Sequence, residues 1–213
     1  MKYSIATLFS LFLLSSLSAQ SFRYGASVAP AASWWIVEGD NYISSGTSIG
    51  FQLGGMIDLT LGEQERFALH SGLNFTSAPG SYEQNPEVPS FQGKSWDFAV
   101  TTLDLPVLLR LRSNVMGKTV LFAQYGVTLG FTLTDKVTVN DGKGGGDDFD
   151  YEGSNTSLTM GAGLEYALND DMGLMFTAFF QNGIKNMVIN NLNPDNDSRY
   201  FPQQIGIRAG VLF

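Results

Sequence analysis

The stretch Val120-Leu-Phe-Ala-Gln-Tyr-Gly-Val-Thr-Leu-Gly-Phe-Thr132 alternates without a break. Leu121, Ala123, Tyr125, Val127, Leu129 and Phe131 share one parity, and Phe122, Gln124, Gly126, Thr128, Gly130 and Thr132 share the other. Successive side chains of a β-strand point to opposite faces. The segment therefore reads as a strand with one apolar face and one face of mostly small and polar groups.

The pattern repeats on either side. In Ser157–Tyr166, Leu158, Met160, Ala162, Leu164 and Tyr166 oppose Thr159, Gly161, Gly163 and Glu165. At the end of the chain Ile205, Ile207, Ala209, Val211 and Phe213 oppose Gln204, Gly206, Arg208 and Gly210. Weaker alternation predicts five further strands, near Phe22–Ala31, Thr47–Leu59, Arg66–Thr76, Phe98–Arg112 and Gly173–Gly183. The connections then alternate in length. Leu61–Glu65, Ser113–Lys118 and Leu168–Met172 are short; Ser33–Gly46, Ser77–Asp97, Leu133–Gly153 and Lys185–Tyr200 are long. Short turns on one rim and long loops on the other are the layout of an outer-membrane barrel. The fold class expected is all-β: an eight-stranded antiparallel transmembrane up-and-down β-barrel, occupying residues 21–213.

Strand parity alone also fits a soluble exported barrel with an apolar core. The apolar parity, however, carries aromatic residues near strand ends (Tyr24, Phe75, Tyr125, Phe131, Tyr166, Phe213), as a girdle at the membrane interface requires. The other parity is too rich in glycine and too poor in charge for a solvated surface. It faces a lumen narrow enough for side chains to fill. Arg23, Asp58, His70, Asp104, Arg110, Arg112, Glu165 and Arg208 share that parity and are expected inside or at the rim. Asp104 and Glu165 are expected to form ion pairs with some of Arg23, Arg110 and Arg208, since an unpaired buried charge is costly.

The first twenty residues read differently. Lys2 precedes an apolar run from Ile5 to Leu17, and Ser15, Ser16, Ser18 and Ala19 supply small residues before a cleavage point after Ala19 or Gln20. This is the pattern of a secretory signal peptide, and the run is too short for a membrane anchor. Removing residues 1–20 takes away one lysine and changes the net charge from −8 to −9. With basic residues so outnumbered by acidic ones, the chain is a poor candidate for nucleic-acid binding, which rests on Lys and Arg neutralising phosphates. There is no cysteine, hence no disulfide, thiolate metal site or lipidated cysteine. The location expected is the bacterial outer membrane, integral, with both termini periplasmic. The partners expected are outer-membrane lipids, lipopolysaccharide and the barrel assembly machinery. No cofactor is expected.

The string Leu103-Asp-Leu-Pro-Val-Leu-Leu-Arg-Leu111 closely resembles a strand of the PorT-like outer-membrane β-barrel family of Bacteroidetes. Tyr125–Phe131 (YGVTLGF), Met160–Tyr166 (MGAGLEY) and Phe179–Met187 (FFQNGIKNM) are similar to other pieces of that family, though Phe179 and Phe180 stand where a basic-aromatic pair is usual. The resemblance implies a barrel in the outer membrane. Its namesake is linked to protein secretion and gliding, but most relatives have no assigned task. Pro106 cannot donate to a sheet ladder and marks a bend, so Asp104 and Pro106 read as barrel-shaping residues.

Candidate chemistry is sparse. His70 is the only histidine, and its neighbour Ser71 points to the opposite face, so the two do not make a nucleophile–base pair. In the loop Asp141–Glu152, Asp147, Asp148, Asp150 and Glu152 offer oxygen ligands for calcium, but without the spacing of a twelve-residue calcium loop. A solvated acidic loop is the expectation there. Trp34-Trp35 in the first long loop suits the membrane–water rim. The Asn-rich run Asn186–Asn196 reads as loop. The function expected is a non-enzymatic outer-membrane protein with a structural or interaction role and exposed loops. The alternatives are a narrow transport pore or accessory of a secretion system, and a lipid-modifying enzyme.

Overall fold

The computed structural model of the chain describes residues 21–39, 42–62, 65–87, 95–140, 150–151, 153–189 and 199–213. Eight strands build one closed barrel: β1 (Phe22–Glu38), β2 (Ser48–Leu61), β3 (Phe67–Gln84), β4 (Ser95–Arg112), β5 (Thr119–Asn140), β6 (Ser154–Ala167), β7 (Gly173–Gly183) and β8 (Arg199–Leu212). Each pairs antiparallel with its sequence neighbours, and β8 closes on β1 through Gly25–Leu212 to Glu38–Arg199. Three short segments lie beyond the barrel: Tyr42–Ser44 pairs with β3, and Asp150–Tyr151 pairs with Val188–Ile189.

The register makes the barrel tilt. Hydrogen-bonded neighbours lead from Phe22 through Leu59, Leu69, Leu109, Tyr125, Met160, Phe180 and Ile205 to Ala32, ten residues further along β1. Such a stagger inclines the strands by roughly 40° to the axis. The circuit also sorts the side chains. It runs through the outward row, and the next row, Arg23, Asp58, His70, Leu108, Gly126, Thr159, Gln181, Gln204 and Ser33, faces inward.

The outside is the greasy side. Ile207 is 63% exposed, Leu53 and Leu73 both 56%, whereas Asp58, Arg110 and Gln52 are buried. Tyr24 stacks on Phe213 at the short-turn end, and Trp34 on Phe180 towards the long-loop end. The ten residues from Tyr24 to Trp34 cover about 25 Å of height at ~3.3 Å per residue and this tilt. That is the thickness of the apolar band on a transmembrane barrel.

Short turns at one end follow from local chemistry. Gly62 and Gly117 adopt φ of 78° and 66°, which glycine accepts without strain. Asn169 Oδ1 accepts from the backbone N–H groups of Asp171 (3.0 Å) and Met172 (2.7 Å), closing the β6–β7 turn.

At the other end the strands are longer than the sequence predicts. The segments Ser33–Glu38, Ser77–Gln84, Ser95–Asp97 and Leu133–Asn140, expected as loop, continue β1, β3, β4 and β5. Trp34-Trp35 therefore lies within β1 and not in a loop. Residues 1–20, where a signal peptide is expected, lie outside the described residues, as do Asn190–Ser198.

Candidate functional site in the barrel lumen

Among the described residues the inward side chains form three layers. Nearest the short turns is a charge cluster centred on Arg110, which is fully buried. Its guanidinium donates through Nη1 to Asp58 Oδ2 and to Glu165 Oε1 (3.1 Å), and through Nε and Nη2 to Gln124 Oε1 (3.2 and 2.9 Å). Its carbon lies 4.3 Å above the Phe122 ring. His70 donates from Nδ1 to Asp58 Oδ1 (2.6 Å), the residue directly across the β2–β3 ladder. Glu165 Oε2 accepts from Arg23 (2.8 Å) and Arg112 (2.7 Å).

Each carboxylate is thus held by more than one donor. That is the condition under which ionic groups persist away from water. Met56, Phe122, Met175 and Leu212 pack around the cluster.

The middle layer is amide-rich. Gln52 donates to Gln204 Oε1 (2.8 Å) and Gln181 Oε1 (3.2 Å), while its own Oε1 accepts from Arg208 Nη2 (2.6 Å). Arg208 also sits 5.1 Å over the Phe179 ring. Asp104 accepts from the hydroxyls of Thr102 (2.7 Å) and Thr76 (2.8 Å) and, at 3.5 Å, from Gln181 Nε2.

The ion pairing expected from sequence therefore divides. Glu165 meets Arg23 and Arg110, and adds Arg112. Asp104 forms no ion pair among the described residues. It sits roughly midway up β4, registered with Asn74 and Gly130, and the Thr76–Thr102 pair lies one inward row further along. Asp58 joins Glu165 on Arg110 in its place. Arg208 binds an amide rather than a carboxylate.

The third layer, towards the long loops, is aromatic. Trp35, Tyr82, Trp96, Val100, Met187 and Tyr200 form one buried cluster. Tyr82 stacks on Trp96 with ring centres 4.9 Å apart and meets Tyr200 at 5.0 Å. Trp35 donates from its indole to the carbonyl of Ala78 (3.3 Å), and Gly80 leaves the space its ring occupies. A cavity of ≈ 20 Å³ lies below this cluster, lined by Thr76, Thr102, Asp104, Asn155 and Gln204 among others. It has room for about one water molecule.

Sequence reasoning missed this aromatic layer. The signal was available: Trp35 continues the inward parity of Ser27, Ala29, Ala31 and Ser33.

The Asp58–His70 pair superficially suggests a base and its orienting acid. Ser71 does not complete it, because its hydroxyl donates to the carbonyl of Pro106 (2.8 Å) and lies on the other face. No group of three metal-ligating side chains occurs among the described residues. Of the acidic loop named as a calcium candidate, Asp147, Asp148 and Glu152 lie outside the described residues, and Asp150 is described by its backbone alone.

The model of the family described as "Outer membrane protein beta-barrel domain" matches residues 4–213. Among solved structures, Neisserial surface protein A is similar at 16% identity and a TM-score of 0.50, over 91% of this chain and 97% of that one. The outer membrane protein OprG from Pseudomonas aeruginosa matches at 11% identity and a TM-score of 0.45, over 90% and 95%. No curated protein matches.

Proposed function

The chain belongs to the outer membrane protein beta-barrel domain family, and from that premise we propose that it is a closed, non-enzymatic barrel that acts through the surface it presents at its long-loop end. Residues 1–20 direct export, and cleavage leaves residues 21–213 to be inserted by the barrel assembly machinery. The greasy belt contacts membrane lipid and lipopolysaccharide. Both termini stand in the periplasm, because Phe22 and Leu212 lie at the short-turn end and short turns are periplasmic in such barrels. The long loops then face outward.

The observation that carries this reading is the filled lumen. The Arg110 cluster and the Trp35–Tyr82–Trp96 cluster occupy it at two levels, so little section is left for solute. An eight-stranded barrel has an interior just wide enough for such packing. Buried ion pairs give the interior one arrangement without leading anywhere. The single histidine is engaged by Asp58, and among the described residues no hydroxyl hydrogen-bonds to it. A structural or interaction role follows. The finer affiliation with PorT-like barrels of Bacteroidetes rests on the Leu103–Leu111 string, and that resemblance carries no secretion role with it.

Reconstitution in planar bilayers tests the closed lumen. The expectation is no stable single-channel current. Steady conductance from the folded protein would overturn the reading in favour of a pore.

A further inference from the structure

The short-turn rim holds a cavity beside the Arg110 cluster. Its volume is ≈ 190 Å³, and it is walled by the β4–β5 turn, the β6–β7 turn and the end of β8. Backbone hydrogen bonds fix those walls. Ala167 N–H donates to the Lys118 carbonyl (2.8 Å), Leu168 N–H to the Met172 carbonyl (2.9 Å) and Phe213 N–H to the Tyr24 carbonyl (2.7 Å). A site ordered in advance spares a ligand the entropy of ordering it.

The inner wall is positive. Arg23 and Arg112 line it, with side chains 27% and 8% exposed. Both place Nη2 on the same oxygen, Glu165 Oε2, while Arg110 takes Oε1. Among the described residues three guanidinium groups, Arg23, Arg110 and Arg112, thus share two buried carboxylates, Asp58 and Glu165. One positive charge is in excess before His70 is counted. Glu65 stands 3.8 Å from Arg112 Nη1, but its side chain is 61% exposed and such a pair is screened by solvent. Excess charge held away from water favours an anion beside it. A guanidinium fork matches the oxygens of a phosphate, and Lys118 adds a further cation to the wall.

Towards solvent the sign reverses. Asp170 and Asp171 of the β6–β7 turn also line the cavity and are exposed. On its remaining side stand Tyr166 and Phe213, which belong to the lipid-facing parity and are themselves exposed. The cavity therefore joins the charged mouth of the lumen to the greasy outer wall.

We propose that this rim cavity binds the zwitterionic head group of an amine-bearing phospholipid. Its phosphodiester lies against Arg23, Arg112 and Lys118, its ammonium against Asp170 and Asp171, and its glycerol along Tyr166 and Phe213. A purely anionic head group fits less well, because it meets the two aspartates with like charge. A choline head group brings the positive charge but no N–H to donate. A soluble phosphate leaves the apolar side unused. The inference requires a barrel set in lipid and holds whichever rim faces outward.

Native mass spectrometry of the full barrel tests it. The protein is released from non-ionic micelles doped with equal amounts of phosphatidylethanolamine, phosphatidylcholine and phosphatidylglycerol carrying identical chains. One phosphatidylethanolamine should be retained in preference to either other lipid by about fivefold, the discrimination that exposed ion pairs supply. Lys118→Gln should lower retention of all three. Asp170→Asn combined with Asp171→Asn should abolish the preference over phosphatidylglycerol. These are exposed turn positions, and heat-dependent gel mobility checks that each variant folds. Equal retention of the three lipids by the unaltered barrel would overturn the proposal, and so would a preference untouched by the double substitution. Glycerophosphoethanolamine, the head group without chains, should compete only in large excess; displacement at equal concentration would overturn a lipid as the occupant. The readout is independent of conductance, so a steady current would defeat the closed-lumen reading and leave this result standing.

Discussion

Replacing Arg110 with methionine removes the hub of the charge cluster. Met fills a comparable volume beside Phe122 and Met175, so the change is chiefly electrostatic. Asp58 and Glu165 each lose a charged donor, and Gln124 Oε1 loses both of its donors. Breaking a buried ion pair from one side costs ~3–5 kcal/mol. The surviving contacts pull the figure to the lower end, because Glu165 keeps Arg23 and Arg112, and Asp58 keeps His70. The expected loss is about 3 kcal/mol, roughly a 150-fold shift in the folding equilibrium. The assay is reversible urea unfolding in phospholipid vesicles, followed by heat-dependent gel mobility. Arg110→Met combined with Asp58→Asn removes both halves of one pair, so the double variant should recover at least about 1 kcal/mol relative to the sum of the singles. A single-variant cost below about 1 kcal/mol, or strict additivity, would refute the cluster as a mutually dependent unit.

Three other outcomes follow from the same geometry. Asp104→Asn keeps an acceptor for one of the Thr76 and Thr102 hydroxyls, obliges the other to turn and accept from the new amide, and removes no ion pair, so it should cost only about 1 kcal/mol; a loss as large as that of Arg110→Met would mean that Asp104 has a cationic partner after all. Ile207→Arg places a charge on the lipid face near mid-height and should cost ~2–4 kcal/mol in the same vesicle assay. No loss there would deny lipid contact. Gly80→Val drives a side chain into the Trp35 indole, with an overpacking cost of about 1–3 kcal/mol and a red shift of tryptophan emission; unchanged emission would place Trp35 elsewhere.

How much of this was legible in the sequence follows from which forces write periodicity. Within the membrane, lipid demands an apolar face at every second residue, and Leu121–Phe131 or Ile205–Phe213 show it plainly. Above the membrane that demand stops. Ser95–Asp97 and Leu133–Asn140 remain strands through backbone pairing, but their outward faces need not be greasy, so they read as loop. Trp35 was obscured for the same reason: its partner Trp34 looks like half of an interfacial pair, while one residue of register sends Trp35 inside.

The lumen residues were legible by parity and their contacts were not. Arg110 lies on β4, Asp58 on β2 and Glu165 on β6, so their meeting across the lumen depends on the stagger that carries Phe22 round to Ala32. No local spacing encodes that stagger. Asp104 reads as a partner for an arginine because it shares the inward parity of Arg23, Arg110 and Arg208 and an unpaired buried charge is costly. Its height in the barrel gave it threonines instead.

The most direct test of the central claim returns to β5. The chain has no cysteine, so single cysteines and nitroxide labels can be placed one at a time along Leu121–Thr132 in lipid-embedded protein. The account predicts that labels at residues 121, 123, 125, 127, 129 and 131 collide freely with oxygen dissolved in the bilayer and rarely with a water-soluble nickel chelate. Labels at 122, 124, 126, 128 and 130 should be shielded from both, because that face meets a packed interior. Nickel accessibility at the odd positions would contradict a lipid-facing surface. Nickel accessibility at the even positions would contradict a filled lumen.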